Sequence, residues 1–107
     1  MNSYSIEVTR AVEKDLDNLK HLRDEAVKKI LDLENTPKKK SSSLKGNLKG
    51  LYSYKFNLSG AGSFRAIYSI KEKDQVCLLI IVAARENIYL EANRRYEMLK
   101  KQNLIES

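Results

Sequence analysis

Three cations stand where they could do chemistry. Lys55 lies in Leu51-Tyr-Ser-Tyr-Lys-Phe-Asn-Leu58, Arg65 in Phe64-Arg-Ala-Ile-Tyr-Ser-Ile70, and Arg85 directly follows the apolar run Val76–Ala84. Tyrosines, Tyr89 among them, complete the set of reactive groups. This inventory suits phosphate chemistry without a metal. Preorganised cations stabilise charge that builds on a phosphorane, as the donors of an oxyanion hole do for an acyl centre. RNA brings its own nucleophile, the 2′-hydroxyl beside the scissile phosphate. A protein then has to supply a base, an acid and charge stabilisation, and tyrosines can stack on unpaired bases. On the residues alone, cleavage of RNA and plain anion binding both fit, and binding demands less. Other chemistries find no support. The single histidine, His21, sits among charges, and the single cysteine, Cys77, is enclosed in the apolar run as a packing residue. One Cys and one His offer no structural metal site, and no cofactor is expected.

The elements that must carry these residues follow from periodicity. Tyr4–Thr9 alternates and is rich in β-branched residues, which predicts a short strand. From there Val12, Leu16, Leu19, Leu22, Ala26, Ile30 and Leu33 recur at three- or four-residue steps. That is one face of a helical hairpin, or one bent helix, with Thr9 as N-cap, a break near His21 to Arg23 and a stop at about Asn35 before Pro37. Residues 38–43 read as a polar loop. Leu51–Leu58 and Phe64–Ile70 are two strands joined through Gly60 and Gly62, a hairpin that could bring Lys55 and Arg65 near each other. Val76–Ala84 is apolar throughout, as expected for a strand buried on both faces. A C-terminal helix follows, with Ile88, Ala92, Tyr96 and Leu99 as its apolar stripe.

Charge is concentrated in one third of the chain. Residues 36–71 hold eight bases and no acid, whereas the segment before them carries a net −2 and the segment after them none. All of the excess behind the net charge of +6 therefore lies there, which points to a polyanion partner. Lys45, Lys49, Ser53 and Lys71 are the candidate RNA contacts. Lys38-Lys-Lys40 reads either as a solvated run or as a phosphate contact. The 107 residues suit one domain over 1–107, with 102–107 a frayed tail. No apolar run approaches the length of a membrane span. The opening residues lack a basic region followed by an apolar block, so no signal peptide is expected. A lone cysteine suits a reducing cytoplasm.

Leu44-Lys-Gly46, Gly50-Leu-Tyr-Ser-Tyr-Lys55, Phe64-Arg-Ala-Ile-Tyr68 and Ala84-Arg-Glu86 followed by Ile88-Tyr89 stand in an order that resembles the RelE/ParE superfamily of bacterial and archaeal toxins. The Tyr4–Lys14 block also fits, so the resemblance covers nearly the whole chain. It implies an α+β fold: an antiparallel sheet of about four strands with an N-terminal helical hairpin and a C-terminal helix, in the order β-α-α-β-β-β-α. In the RelE branch it implies metal-independent cleavage of messenger RNA in the ribosomal A site, giving a 2′,3′-cyclic phosphate and a 5′-hydroxyl. Lys55 then matches the general base, and Arg65 the group that stabilises the transition-state phosphate. Arg85 matches the general acid or phosphate clamp, and Tyr89 the residue that stacks on or orients a base. The implied partners are a cognate antitoxin, the ribosome and messenger RNA, with DNA met only through the antitoxin and no membrane. Four places depart from the pattern: Ser53 replaces the first of two strand lysines, Ala84 stands where many relatives have a histidine, the turn Ser59–Ser63 is somewhat long, and the stretch from Arg85 to Tyr89 is somewhat short. The ParE branch, whose members inhibit DNA gyrase without cutting RNA, is the alternative, as is a degenerate toxin that only holds its antitoxin.

Overall fold

The computed structural model describes residues 4–35, 41–84 and 88–103. Strand β1 (Ser5–Val8) leads into helix α1 (Arg10–Asp17), capped as expected by Thr9, whose Oγ1 accepts from the Val12 N–H at 3.2 Å. A short 3-10 turn at Lys20–Leu22 breaks the helical run, and α2 (Arg23–Leu31) continues it. Beyond the next described gap come β2 (Ser41–Ser43), β3 (Leu51–Leu58), β4 (Gly62–Lys71), β5 (Val76–Ala84) and α3 (Ile88–Lys101).

The sheet runs β1-β5-β4-β3-β2. The α+β class and the helical hairpin match the expectation, and the sheet gains two features. It has a fifth strand, because Ser41–Ser43 pairs antiparallel with Tyr54, Ser53 and Tyr52 where a loop was expected. It is also mixed, since β1 runs parallel to β5. Three serines carry no strand pattern. What holds them is the edge of β3 and a hydrogen bond between the Ser41 and Tyr68 hydroxyls.

Each face of the sheet has its own core. On one, Tyr54, Phe56, Leu58, Tyr68 and Leu79 pack under α1 and α2 through Val12, Leu16, Ala26 and Ile30. On the other, Leu51, Ile67, Ile80 and Ile81 pack under α3 through Ile88, Ala92, Tyr96 and Leu99. The α3 stripe predicted from spacing is therefore the buried one. A register shift in β4–β5 between Ile67 and Tyr68 lets Ile80 and Ile81 both serve the α3 face. Such a bulge breaks the alternation of a strand.

The end of β1 leaves backbone groups of β5 open. β1 covers β5 only as far as Leu79. Past that point Arg95 Nη1 donates to the Ile80 carbonyl at 3.0 Å, and the Val82 N–H donates to Asp15 Oδ2 at 3.0 Å. Arg95 and Asp15 close on each other bidentately at 2.7 and 3.0 Å. Helices from opposite faces of the sheet are thus tied together across its edge.

Candidate active site

β3 and β4 form a hairpin closed by Ser59–Ala61, with Gly60 at φ +75° and Gly62 at φ +86°. This is backbone that glycine adopts at little cost. Glu25 on α2 fixes the turn by accepting the Ser59 N–H at 3.1 Å and the Ser59 hydroxyl at 3.0 Å. Those bonds hold the Glu25 carboxyl below its ordinary 4.5. With the turn set, the register places Lys55 directly opposite Arg65. Odd-numbered positions of β3 and β4 face α3, so both cations emerge on that side.

Arg65 leans away from its opposite number. Its Nη1 donates to Ser53 Oγ at 3.3 Å, and its guanidinium lies 5.9 Å from the centroid of the Tyr89 ring in the first turn of α3. That distance is within cation–π range. Ser53 is 3% exposed and Tyr89 41% exposed. Lys55 is exposed. Neither cation forms an ion pair among the described residues, and Arg65 Nε is buried there without a hydrogen-bond partner. Like charges directly opposite on a sheet are destabilising, and a buried donor left unmade costs more. An anion seated between Lys55, Arg65 and Tyr89 would relieve the like-charge contact.

Four of the expected site residues, Lys55, Arg65, Ser53 and Tyr89, therefore come together. Ser53 sits beneath Arg65, out of reach of RNA at the surface. Its position on the expected polar face lies under the start of the α3 layer, where that face is covered. Arg85 lies outside the described residues, as do Lys38, Lys39 and Lys40. The other cations are not gathered in. Lys45 and Lys49 are exposed around a 3-10 turn at Gly46–Leu48, before β3 begins. Lys71 is six residues along β4 from Arg65, about 20 Å at the rise of a strand. It lines a separate groove of about 650 Å³ with Val8, Ile80, Arg94 and Met98, and neither Lys55 nor Arg65 lines that groove. The basic third of the sequence is thus dispersed over the surface, with one focus.

No other described group competes for the chemistry. Cys77 is fully buried, and burial pushes its thiol up to about 11, leaving almost no thiolate at neutral pH. Tyr68 is likewise driven to about 12 by burial. His21 is exposed. No group of three or more possible metal ligands occurs among the described residues, and no described helix is long and apolar enough to cross a membrane. The Asp15–Arg95 node was not foreseen. Its partners are 80 residues apart, and neither lies in a recognisable local pattern.

Comparison with known proteins agrees with this geometry. Residues 4–93 match the family model described as the ParE-like toxin of type II bacterial toxin-antitoxin systems. A search of curated protein sequences gives no match. Among solved structures, the free Escherichia coli toxin RelE, as a double arginine-to-alanine mutant, is 24% identical with a TM-score of 0.67, covering 87% of this chain and 97% of that one. The RelBE toxin–antitoxin complex of Mycobacterium tuberculosis is 24% identical with a TM-score of 0.66, covering 78% and 99%. The RelE–RelB complex of the archaeon Pyrococcus horikoshii is 23% identical with a TM-score of 0.55, covering 79% and 98%. The fold is that of the RelE toxins, and the chain belongs to the ParE-like toxins of type II toxin–antitoxin systems, within the RelE/ParE superfamily.

Proposed function

We propose that this toxin is a metal-independent endoribonuclease that cuts messenger RNA on the ribosome and so stops translation. The observation that carries the reading is the pair Lys55 and Arg65. They are held in register on one face, next to Tyr89, with no carboxylate to neutralise them among the described residues. Two apposed cations with no acid beside them are an arrangement that a bound anion would stabilise.

In this mechanism Lys55 removes the proton from the 2′-hydroxyl. The oxygen attacks the adjacent phosphorus, and the P–O5′ bond breaks as the P–O2′ bond forms. The products are a 2′,3′-cyclic phosphate and a 5′-hydroxyl. Arg65 carries the charge that grows on the non-bridging oxygens. Arg85, at the exit of β5, returns a proton to the leaving 5′-oxygen or clamps the phosphate. Tyr89 presents its exposed ring to a base and its other side to Arg65. Lys45, Lys49 and Lys71 would meet the RNA backbone more remotely. The work is cytoplasmic, and a cognate antitoxin binds the toxin and holds it in check; solved structures of similar fold include toxin–antitoxin complexes.

The matching ParE-like model favours a second reading, inhibition of DNA gyrase without RNA cleavage. One reconstitution separates the two. Purified toxin is added to ribosomes programmed with a defined message and, separately, to gyrase with relaxed plasmid. The nuclease reading expects message cut inside A-site codons and supercoiling untouched. An intact message with blocked supercoiling would replace it by the second.

A further inference from the structure

The two faces of the five-stranded sheet are covered unequally. Strands about 4.8 Å apart make a surface roughly 20 Å across, or about two helix diameters. On one face both α1 and α2 pack, and β1 joins the core beneath them through Ile6. On the other face α3 is the one packed α-helix among the described residues, and β1 adds nothing to its core. A groove of about 650 Å³ lies there, lined by β1 and the start of α1 on one side and by α3 on the other. Val8, Leu78, Ile80, Met98 and Leu99 make it apolar. Met98 is 53% exposed and Val8 38% exposed. An exposed apolar strip with polar margins is a mark of an interaction surface.

The margins favour an acidic occupant. Arg10, Lys71, Arg94 and Arg95 line the groove against two acids, Glu7 and Glu91. Glu91 is already engaged by Arg94 and Arg95. Arg10 and Lys71 form no ion pair among the described residues. A second copy of this chain suits the groove poorly, because its net charge of +6 would set cations against cations.

We propose that this groove receives an amphipathic helix of a partner protein, with an apolar stripe flanked by Asp and Glu, which completes the helical layer beside α3. The stripe rests on Val8, Met98 and Leu99, and the acids face Arg10 and Lys71. The groove is open with α3 in place, and neither Lys55 nor Arg65 lines it. A helix seated there therefore grips the protein without covering those two cations. The inference is independent of the reaction assigned to them.

The probe is a synthetic, fluorescently labelled peptide with a leucine stripe at helical spacing and glutamate elsewhere. Its control carries lysine in place of glutamate. Each is titrated into the full chain, with peptide helicity followed by circular dichroism and the footprint by NMR. The glutamate peptide is expected to bind on the order of tenfold more tightly than the lysine peptide. It should gain helicity and shift the backbone resonances of Val8, Met98 and Gln102 while leaving that of Lys55 in place. Arg10→Glu, at the exposed start of α1, should weaken the glutamate peptide and strengthen the lysine one. Met98→Glu should weaken the glutamate peptide by on the order of tenfold, the loss of one buried methionine contact, with Tm retained. If either variant unfolds, Arg10→Gln and Met98→Gln should show smaller losses in the same direction. No binding of the glutamate peptide overturns the proposal, as does equal affinity for the two peptides. A bound peptide that gains no helix, or a footprint centred on Lys55 and Arg65, overturns it as well.

Discussion

Arg65 and Arg95 are both partly buried arginines on the α3 side of the sheet, and they are treated in opposite ways. Arg95 is saturated. Asp15 grips it bidentately, Glu91 accepts from Nε at 3.2 Å, and the Ile80 carbonyl takes a further bond. The hydrogen bonds that Arg95 donates to Asp15, outweighing desolvation, raise its pKa above the usual arginine value. Arg65 has one long bond to a serine, the face of a tyrosine ring, and a lysine opposite. One guanidinium is consumed in joining α1 to α3 across the sheet edge. The other is left under-coordinated by a fold that could have given it an acid. Residue type and burial do not distinguish them; the completeness of their partners does.

The contrast can be broken from either side. Arg65→Ala should lower cleavage by roughly 10²–10³-fold, the loss typical of one preorganised donor at a charge-developing centre. Its Tm should be unchanged or slightly higher, since a like-charge contact is removed. Asp15→Ala should do the reverse. It leaves Arg95 and the Val82 N–H without their acceptor at side-chain exposures of 20% and 14% for the pair. It should cost about 2–4 kcal/mol of unfolding free energy in a denaturant titration, while the folded fraction keeps its activity. A stable Asp15→Ala protein, or an Arg65→Ala protein that unfolds, would erase the distinction.

A smaller effect sharpens it. Glu25 is a carboxylate used for structure, holding the β3–β4 turn on which the Lys55–Arg65 register depends. Its pKa is lowered in the folded state, chiefly by the Ser59 N–H. The stability it adds is therefore complete above its unfolded pKa and is lost as pH falls through the lower folded value. Glu25→Gln should flatten that part of the stability–pH curve. An unchanged acid limb would show that the turn does not lean on this residue.

Much of the arrangement is legible in the sequence because it is local. The 3.6-residue spacing from Val12 to Leu33, the Thr9 cap and the Ile88–Leu99 stripe need only neighbours along one helix. The Lys55–Arg65 pairing follows from period-two strands and a glycine turn. What escapes is decided between distant segments. Ser41–Ser43 becomes a strand because β3 offers an edge and Tyr68 a hydroxyl. β1 runs parallel to β5, which the chain reaches only after α1, α2 and three further strands, a pairing that no local pattern announces. Ser53 is buried on the face where alternation had placed it in water, with the Arg65 guanidinium lying against its hydroxyl. Asp15 and Arg95 meet where β1 ends and leaves the edge of β5 open past Leu79. The charge run misleads in the other direction: Lys71 belongs to the same basic third as Lys55, yet it lies at the far end of β4 from Arg65.

The central claim is that the open pair Lys55 and Arg65 serves cleavage of translated RNA. Its most direct test is a primer-extension map of a translated reporter message after brief induction of the protein, with translation blocked in a parallel culture. The account predicts cuts inside codons that disappear when translation is blocked. An uncut message in growth-arrested cells would contradict it and assign the arrest to gyrase or another target.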